Sequence, residues 1–86
     1  MFYVYAIKSL RRKYIYVGLS DNIERRLNQH NKGENKTTRP YLPFELILKE
    51  IFISRIEARK REKYWRVELE KSSYAHYKIM PEWRNW

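Results

Sequence analysis

Phe2-Tyr3-Val4-Tyr5-Ala6-Ile7-Lys8-Ser9 and Tyr14-Ile15-Tyr16-Val17-Gly18-Leu19 are two short runs rich in β-branched and aromatic residues. The basic turn Leu10-Arg11-Arg12-Lys13 separates them. The pattern predicts a β-hairpin with a phenol, Tyr5 or Tyr16, on each strand. Side chains alternate faces along a strand, so the register decides whether these phenols meet. They share a face only if paired residue numbers add to an odd total, as for 5 opposite 16. An even total would place them on opposite sides.

Outward from the hairpin, Asn22 to Lys32 reads as a helix. Ser20, Asp21 or Asn22 is available to cap it, and Gly33 is placed to end it. Glu34 to Pro43 is a polar, proline-punctuated loop. Phe44 to Phe52 reads as a third strand, in which Phe44, Leu46 and Leu48 alternate with Glu45, Ile47 and Lys49. Ser54 and Glu57 form a capping box ahead of a long helix reaching about Leu69. A shorter helix is expected over Tyr74 to Met80, ended by Pro81. The expected fold is α/β: a small three-stranded antiparallel sheet in order 2-1-3, flanked by helices lying over one face. A single domain spans 1–86, with a core over 2–70 and an aromatic helical tail over 71–86.

The net charge is +9, from 19 Lys and Arg against 10 acids, and 16% of residues are aromatic. A small basic domain rich in aromatics points to nucleic acid. There is no cysteine, which excludes disulfides and Cys-ligated zinc and fits a reducing, cytoplasmic setting. The amino terminus reads as a strand and not as a signal peptide. Charges interrupt every apolar run short of a membrane span, so no membrane association is expected.

Two helical stripes carry polar residues where apolar ones are expected. Ile23, Arg26, Leu27 and His30 fall on one face of the first helix. Arg26 and His30 on that stripe incur a desolvation cost unless paired. Either Arg26 snorkels past the core edge and His30 caps a carbonyl, or the two belong to a site. Ala58, Glu62, Trp65 and Leu69 form the matching stripe of the long helix. Glu62 there needs a cation, either an internal partner such as Arg26 or a metal ion. Spacing does not separate these readings.

Tyr5, Tyr16-Val17-Gly18, Arg26 ten residues after the second tyrosine, His30 one turn later, and Glu62 within Glu57-Ala58-Arg59-Lys60-Arg61-Glu62 occur in a specific order. Together they resemble the GIY-YIG nuclease superfamily. The resemblance is strongest to small single-domain bacterial members related to the amino-terminal domain of the excinuclease C subunit. Lys36-Thr37-Thr38-Arg39-Pro40 and Met80-Pro81-Glu82-Trp83-Arg84 also resemble that small group. Tyr3 stands where Gly is usual, and Leu19 stands where some repair nucleases carry lysine.

The resemblance implies a divalent-metal-dependent DNA endonuclease or nickase. In it Tyr5 activates water within a network with Tyr16 and His30, Arg26 contacts the attacked phosphate, and Glu62 holds one Mg²⁺ or Mn²⁺. A phenol with a pKa near ~10 is a poor base at neutral pH, so Arg26, a metal and His30 are the groups to lower it or relay its proton. Arg11, Arg12, Lys13, Arg39, Arg59, Lys60, Lys63 and Arg66 read as phosphate-docking surface without base selectivity. Trp83 and Trp86 are expected to pack the tail onto the body, with base stacking as the alternative, and the aromatic tail is the surface expected for any protein partner. The rival readings are a catalytically silent nucleic-acid-binding module and a repair-complex adaptor on the same fold.

Overall fold

In the computed structural model, which describes residues 1–71 and 77–81, β1 (Phe2–Ser9) and β2 (Tyr14–Ser20) form the predicted antiparallel hairpin. Tyr5 lies opposite Gly18 and Ile7 opposite Tyr16, so each pair of numbers adds to 23. The total is odd, and the phenols of Tyr5 and Tyr16 share a face. Gly18 adds no side chain directly across from Tyr5, which leaves room for the ring.

α1 (Ile23–Asn31) begins at Asn22, whose side chain accepts from the Arg25 N–H at 3.0 Å. It ends in paired turns, with Gly33 N–H donating to His30 C=O and Glu34 N–H to Gln29 C=O, the arrangement that closes helices through a left-handed residue. Gly33 fills that role at φ +76°. A one-turn 3₁₀ helix at Arg39–Tyr41 leads into β3 (Phe44–Phe52), which pairs antiparallel with β1. The three strands therefore stand in the expected order 2-1-3.

Three features depart from expectation. The helices lie on opposite faces of the sheet and not over one. Tyr5, Ile7, Tyr14, Tyr16 and Phe44 pack with Ile23 of α1. Val4, Ala6, Ile15, Val17 and Leu19, on the other face, pack with Ala58 and Leu69 of α2 (Arg55–Lys71). Both hairpin faces are apolar, so each requires its own helix. Second, the alternation of Phe44, Leu46 and Leu48 breaks at a bulge: Ile7 pairs with Leu46 but Ala6 with Leu48. The extra residue, Ile47, turns Leu48 to the α2 side, where both pack.

The expected Tyr74–Met80 helix is also corrected over its described part. Lys78–Pro81 is a strand, β4, running parallel to β2, with Ile15 opposite Ile79. Ile79 is buried in the α2-side cluster. A short apolar run reads equally as strand or helix end, and the exposed edge of β2 supplies the partner that decides it. The expectation that Trp83 and Trp86 pack the tail lies outside the described residues.

α2 is fastened to β3 by a contact absent from the sequence reading. Glu50 lies opposite Val4, on the α2 side. Its carboxylate accepts from Arg61 Nε at 2.9 Å, Arg61 Nη2 at 3.3 Å and Trp65 Nε1 at 2.7 Å. The Arg61 hydrogen bond holds Glu50 below the usual carboxylate range. The folded chain thus takes up this proton less readily than the unfolded chain. The stabilisation is complete above the unfolded pKa of about 4.3 and is lost as pH falls through the depressed folded value. Glu50→Gln should lower the thermal midpoint at pH 7, and the gap to wild type should close toward pH 3 in melts followed by circular dichroism.

Candidate active site

The odd register aims Tyr5 from the centre of β1 and Tyr16 from β2 into the layer under α1. α1 crosses this layer with Ile23 buried at its start and His30 buried at its end. His30 is the hub. Its Nε2 lies 3.5 Å from the Tyr5 hydroxyl, and its Nδ1 lies 2.8 Å from Thr38 Oγ1. Its ring meets Tyr16 edge-on at 4.7 Å between centroids and Phe44 at 5.9 Å. One turn earlier, Arg26 donates from Nη1 to Gln29 Oε1 at 3.2 Å. Tyr16 and Arg26 are near enough to interact electrostatically, as are Arg26 and His30. Four of the five sequence-derived candidates therefore meet in one cluster.

Only the outer part of this cluster faces solvent. A cleft of about 380 Å³ is lined by Arg26, Gln29, His30, Glu34, Asn35, Lys36 and Thr37. Tyr5 is 0% exposed and Tyr16 is 1% exposed, and neither lines that cleft. His30 thus stands between the cleft and the Tyr5 hydroxyl. Arg26 and Lys36 give the cleft two cations, which suits a phosphate.

Glu62 does not join the cluster, and the expectation of one shared cleft for all five residues is corrected here. Glu62 sits on the buried stripe of α2, at 1% exposure, between residues packed on the Val4–Leu19 face. The sheet lies between that face and the phenols. Among the described residues neither carboxylate oxygen has a hydrogen-bond partner, so the internal salt bridge considered for it is not formed with any of them. Burial raises its pKa against the opposing pull of Arg59, Arg66 and Lys63. Among the described residues, no group of three or more His, Asp or Glu could hold a metal ion. Glu62 fits a metal only as a single carboxylate donor with both oxygens available.

The docking cations divide between the faces. Arg12 lies 5.8 Å from the Tyr41 ring, which stacks on Tyr14 at 3.8 Å, on the phenol side. Arg11 and Lys13 are exposed beside Arg12 in the hairpin turn. Arg39 donates Nε to Gly33 C=O at 2.7 Å, so it also braces the loop. Arg59, Lys60, Lys63 and Arg66 belong to α2 on the other side.

Sequence reasoning did not assign roles to Thr38, Asn35 or Gln29. Thr38 was legible only as part of the Lys36–Pro40 resemblance. Nothing in the spacing pairs it with an imidazole eight residues earlier.

A family model described as the GIY-YIG catalytic domain matches residues 1–78. The chain belongs to the GIY-YIG family, whose nuclease domains act on DNA and generally use a divalent metal. It is 40% identical over 65 residues to a UPF0213 protein of Bacillus licheniformis, covering 74% of this chain and 66% of that protein. It is 38% identical over 61 residues to a UPF0213 protein of Staphylococcus haemolyticus, covering 70% and 73%. A UPF0213 protein of Natronomonas pharaonis is 41% identical over 61 residues, covering 70% and 71%. Among the described residues no helix is long and apolar enough to cross a membrane.

Burial, assisted by the nearby Arg26 charge, lowers the His30 pKa to about 4. The unfolded imidazole takes its proton first, so stability is lost as pH falls from about 6.5 toward the folded value. A histidine-selective NMR titration should find His30 neutral down to about pH 4. The corresponding slope in stability should be absent from His30→Gln. A midpoint near the ordinary histidine value would mean that the imidazole is open to water.

Proposed function

We propose that the protein is a divalent-metal-dependent endonuclease or nickase that hydrolyses phosphodiester bonds in DNA. The observation that carries this reading is the contact between a neutral, buried His30 and the Tyr5 hydroxyl, at the wall of a cleft carrying Arg26 and Lys36. Arg26 holds the phosphate through its guanidinium edge. Tyr5 and His30 form the proton-handling pair: as the phenol oxygen takes a proton from water, its own proton passes to the imidazole, so that no free phenolate forms. Tyr16 packs the imidazole edge-on and sets its orientation.

The resemblance assigns one Mg²⁺ or Mn²⁺ to Glu62, which would hold it through a carboxylate oxygen. When bound, it would supply positive charge to the reaction, although Glu62 lies across the sheet from the cleft that carries Arg26 and Lys36. The support for Glu62 is its pair of unpartnered oxygens. The hairpin-turn cations Arg11, Arg12 and Lys13 extend the phosphate contacts on the phenol side. Arg59, Lys60, Lys63 and Arg66 offer a second basic surface on α2.

One observation favours a second reading, a catalytically silent nucleic-acid-binding module. Tyr5, Tyr16 and Glu62 are all sealed from solvent, so the basic surface could act while the site stays closed. Nicking of supercoiled plasmid and of branched duplex, with and without Mg²⁺ or Mn²⁺, separates the two. The enzyme reading expects metal-dependent cleavage. Binding without cleavage on duplex, single-stranded and branched DNA would establish the silent module instead.

Tyr5→Phe removes one hydroxyl with little change in shape, and should slow cleavage by roughly 10²–10⁴-fold while DNA affinity holds. Glu62→Gln should abolish metal-dependent cleavage. Because it also removes a buried charge without a partner, the metal-free variant should melt at or above the wild-type temperature at pH 8. A lower midpoint there would show that the Glu62 charge is compensated in solution.

A further inference from the structure

The imidazole of His30 has two ring nitrogens, and only one can carry the proton while the ring is neutral. Tyr5 can give its proton to Nε2 only if Nδ1 is the protonated nitrogen. The group that decides this is on the other side of the ring. Thr38 is fully buried, and its Oγ1 stands 2.8 Å from Nδ1. The same hydroxyl donates to the Asn35 carbonyl at 3.5 Å. With its hydrogen directed to Asn35, Oγ1 presents a lone pair to Nδ1. The ring must then carry Nδ1–H, which leaves Nε2 bare toward the Tyr5 hydroxyl.

The loop holds Thr38 in this place by several bonds. Asn35 accepts at its side chain from Thr37 N–H at 2.9 Å and at its carbonyl from Arg39 N–H at 2.9 Å. Tyr41 N–H donates to the Thr38 carbonyl at 2.9 Å, and Arg39 Nε ties the loop back to Gly33. The segment Gly33–Tyr41 is therefore braced around the hydroxyl that faces His30.

We infer that Thr38 is a positioning residue that fixes His30 in the Nδ1–H tautomer and so makes Nε2 the proton acceptor for Tyr5. This rests on the nuclease reading only for its catalytic consequence. The tautomer is a property of the folded chain whether or not it cuts DNA. In the cleavage step the Tyr5 proton passes to Nε2 as the phenol oxygen takes one from water, and Nδ1–H stays in its bond to Thr38. A different hydroxyl residue can do the same work, whereas an isosteric apolar one cannot.

The test uses the full chain labelled with ¹⁵N-histidine in a His76→Asn background, so that one imidazole is observed. Wild type at pH 7 should show Nδ1 as the protonated nitrogen in long-range ¹H–¹⁵N spectra. Thr38→Val should move the proton to Nε2 or mix the tautomers, and Thr38→Ser should restore the wild-type pattern. In the cleavage assay, Thr38→Val should lower kcat by roughly 10²-fold with little change in KM, and Thr38→Ser should recover most of it.

A wild-type ring protonated on Nε2 overturns the inference, and this reading needs no variant to fold. So does a folded Thr38→Val that keeps the wild-type tautomer. If the tautomer shifts as expected but no form of the protein cuts DNA, the positioning role stands and the nuclease reading fails. If wild type cuts DNA and Thr38→Val keeps both tautomer and rate, the nuclease reading stands and the role of Thr38 fails.

Discussion

The pairing of β1 with β2 is the constraint on which the other features depend. With Tyr5 opposite Gly18 and Ile7 opposite Tyr16, the odd residues of β1 and the even residues of β2 share one face. That face is aromatic and polar-tipped, and the opposite face is Val4, Ala6, Ile15, Val17 and Leu19. A slip of one residue would separate the two phenols and mix the two surfaces. Each surface then selects its helix. α1 brings an imidazole to the phenols, and α2 covers the aliphatic side with Ala58, Trp65 and Leu69. Edge pairing of β4 with β2 and the Glu50–Arg61–Trp65 contacts fasten the second layer.

The two buried polar residues, His30 and Glu62, are treated very differently by their surroundings. His30 is neutral, bonded at one nitrogen to Thr38 and in reach of Tyr5 at the other. Its burial requires only that it stay unprotonated, and the depressed pKa meets that requirement. Glu62 has three cations on its own helix but, among the described residues, no donor to its oxygens. Burial shifts a carboxylate in that state toward its protonated form, against the pull of Arg59, Arg66 and Lys63. A cation held at Glu62, as proposed, would compete with that proton and so bind in a pH-dependent way, whereas His30 needs no such exchange to stay neutral at pH 7.

Much of this was legible because local rules and tertiary structure agree. The hairpin, the cap at Asn22, the stop at Gly33 and the odd positions of Tyr5 and Tyr16 all follow from local chemistry. So does the inward stripe of Ile23, Leu27 and His30, because period 3.6 places them together wherever the helix docks. What was not legible depends on pairings distant in the chain. The bulge at Ile47 leaves the alternation of β3 looking regular in sequence. The face chosen by α2 depends on both hairpin surfaces being apolar, and the strand at Lys78–Pro81 depends on an open edge sixty-odd residues away. Thr38 and Glu50 belong to the same class, since each acts through a partner that no periodicity connects to it.

The division of charge follows from the same two-faced sheet. On the proposed function, a nucleic acid lying along the cleft would meet Arg26 and Lys36, and then the hairpin turn, because Arg12 reaches Tyr41 on the phenol side. Arg39 is adjacent but is bonded to Gly33, so moving it disturbs the loop that carries Thr38. The cations of α2 face a different direction and cannot add to that footprint while the backbone tracks α1. The net charge of +9 therefore overstates the number of phosphates one strand can engage at a time. Coulomb attraction from the far face still raises the encounter rate within about 10 Å at ordinary salt. On that reading, contact energy, and with it the salt dependence, would come from the few cations on the side that carries the phenols.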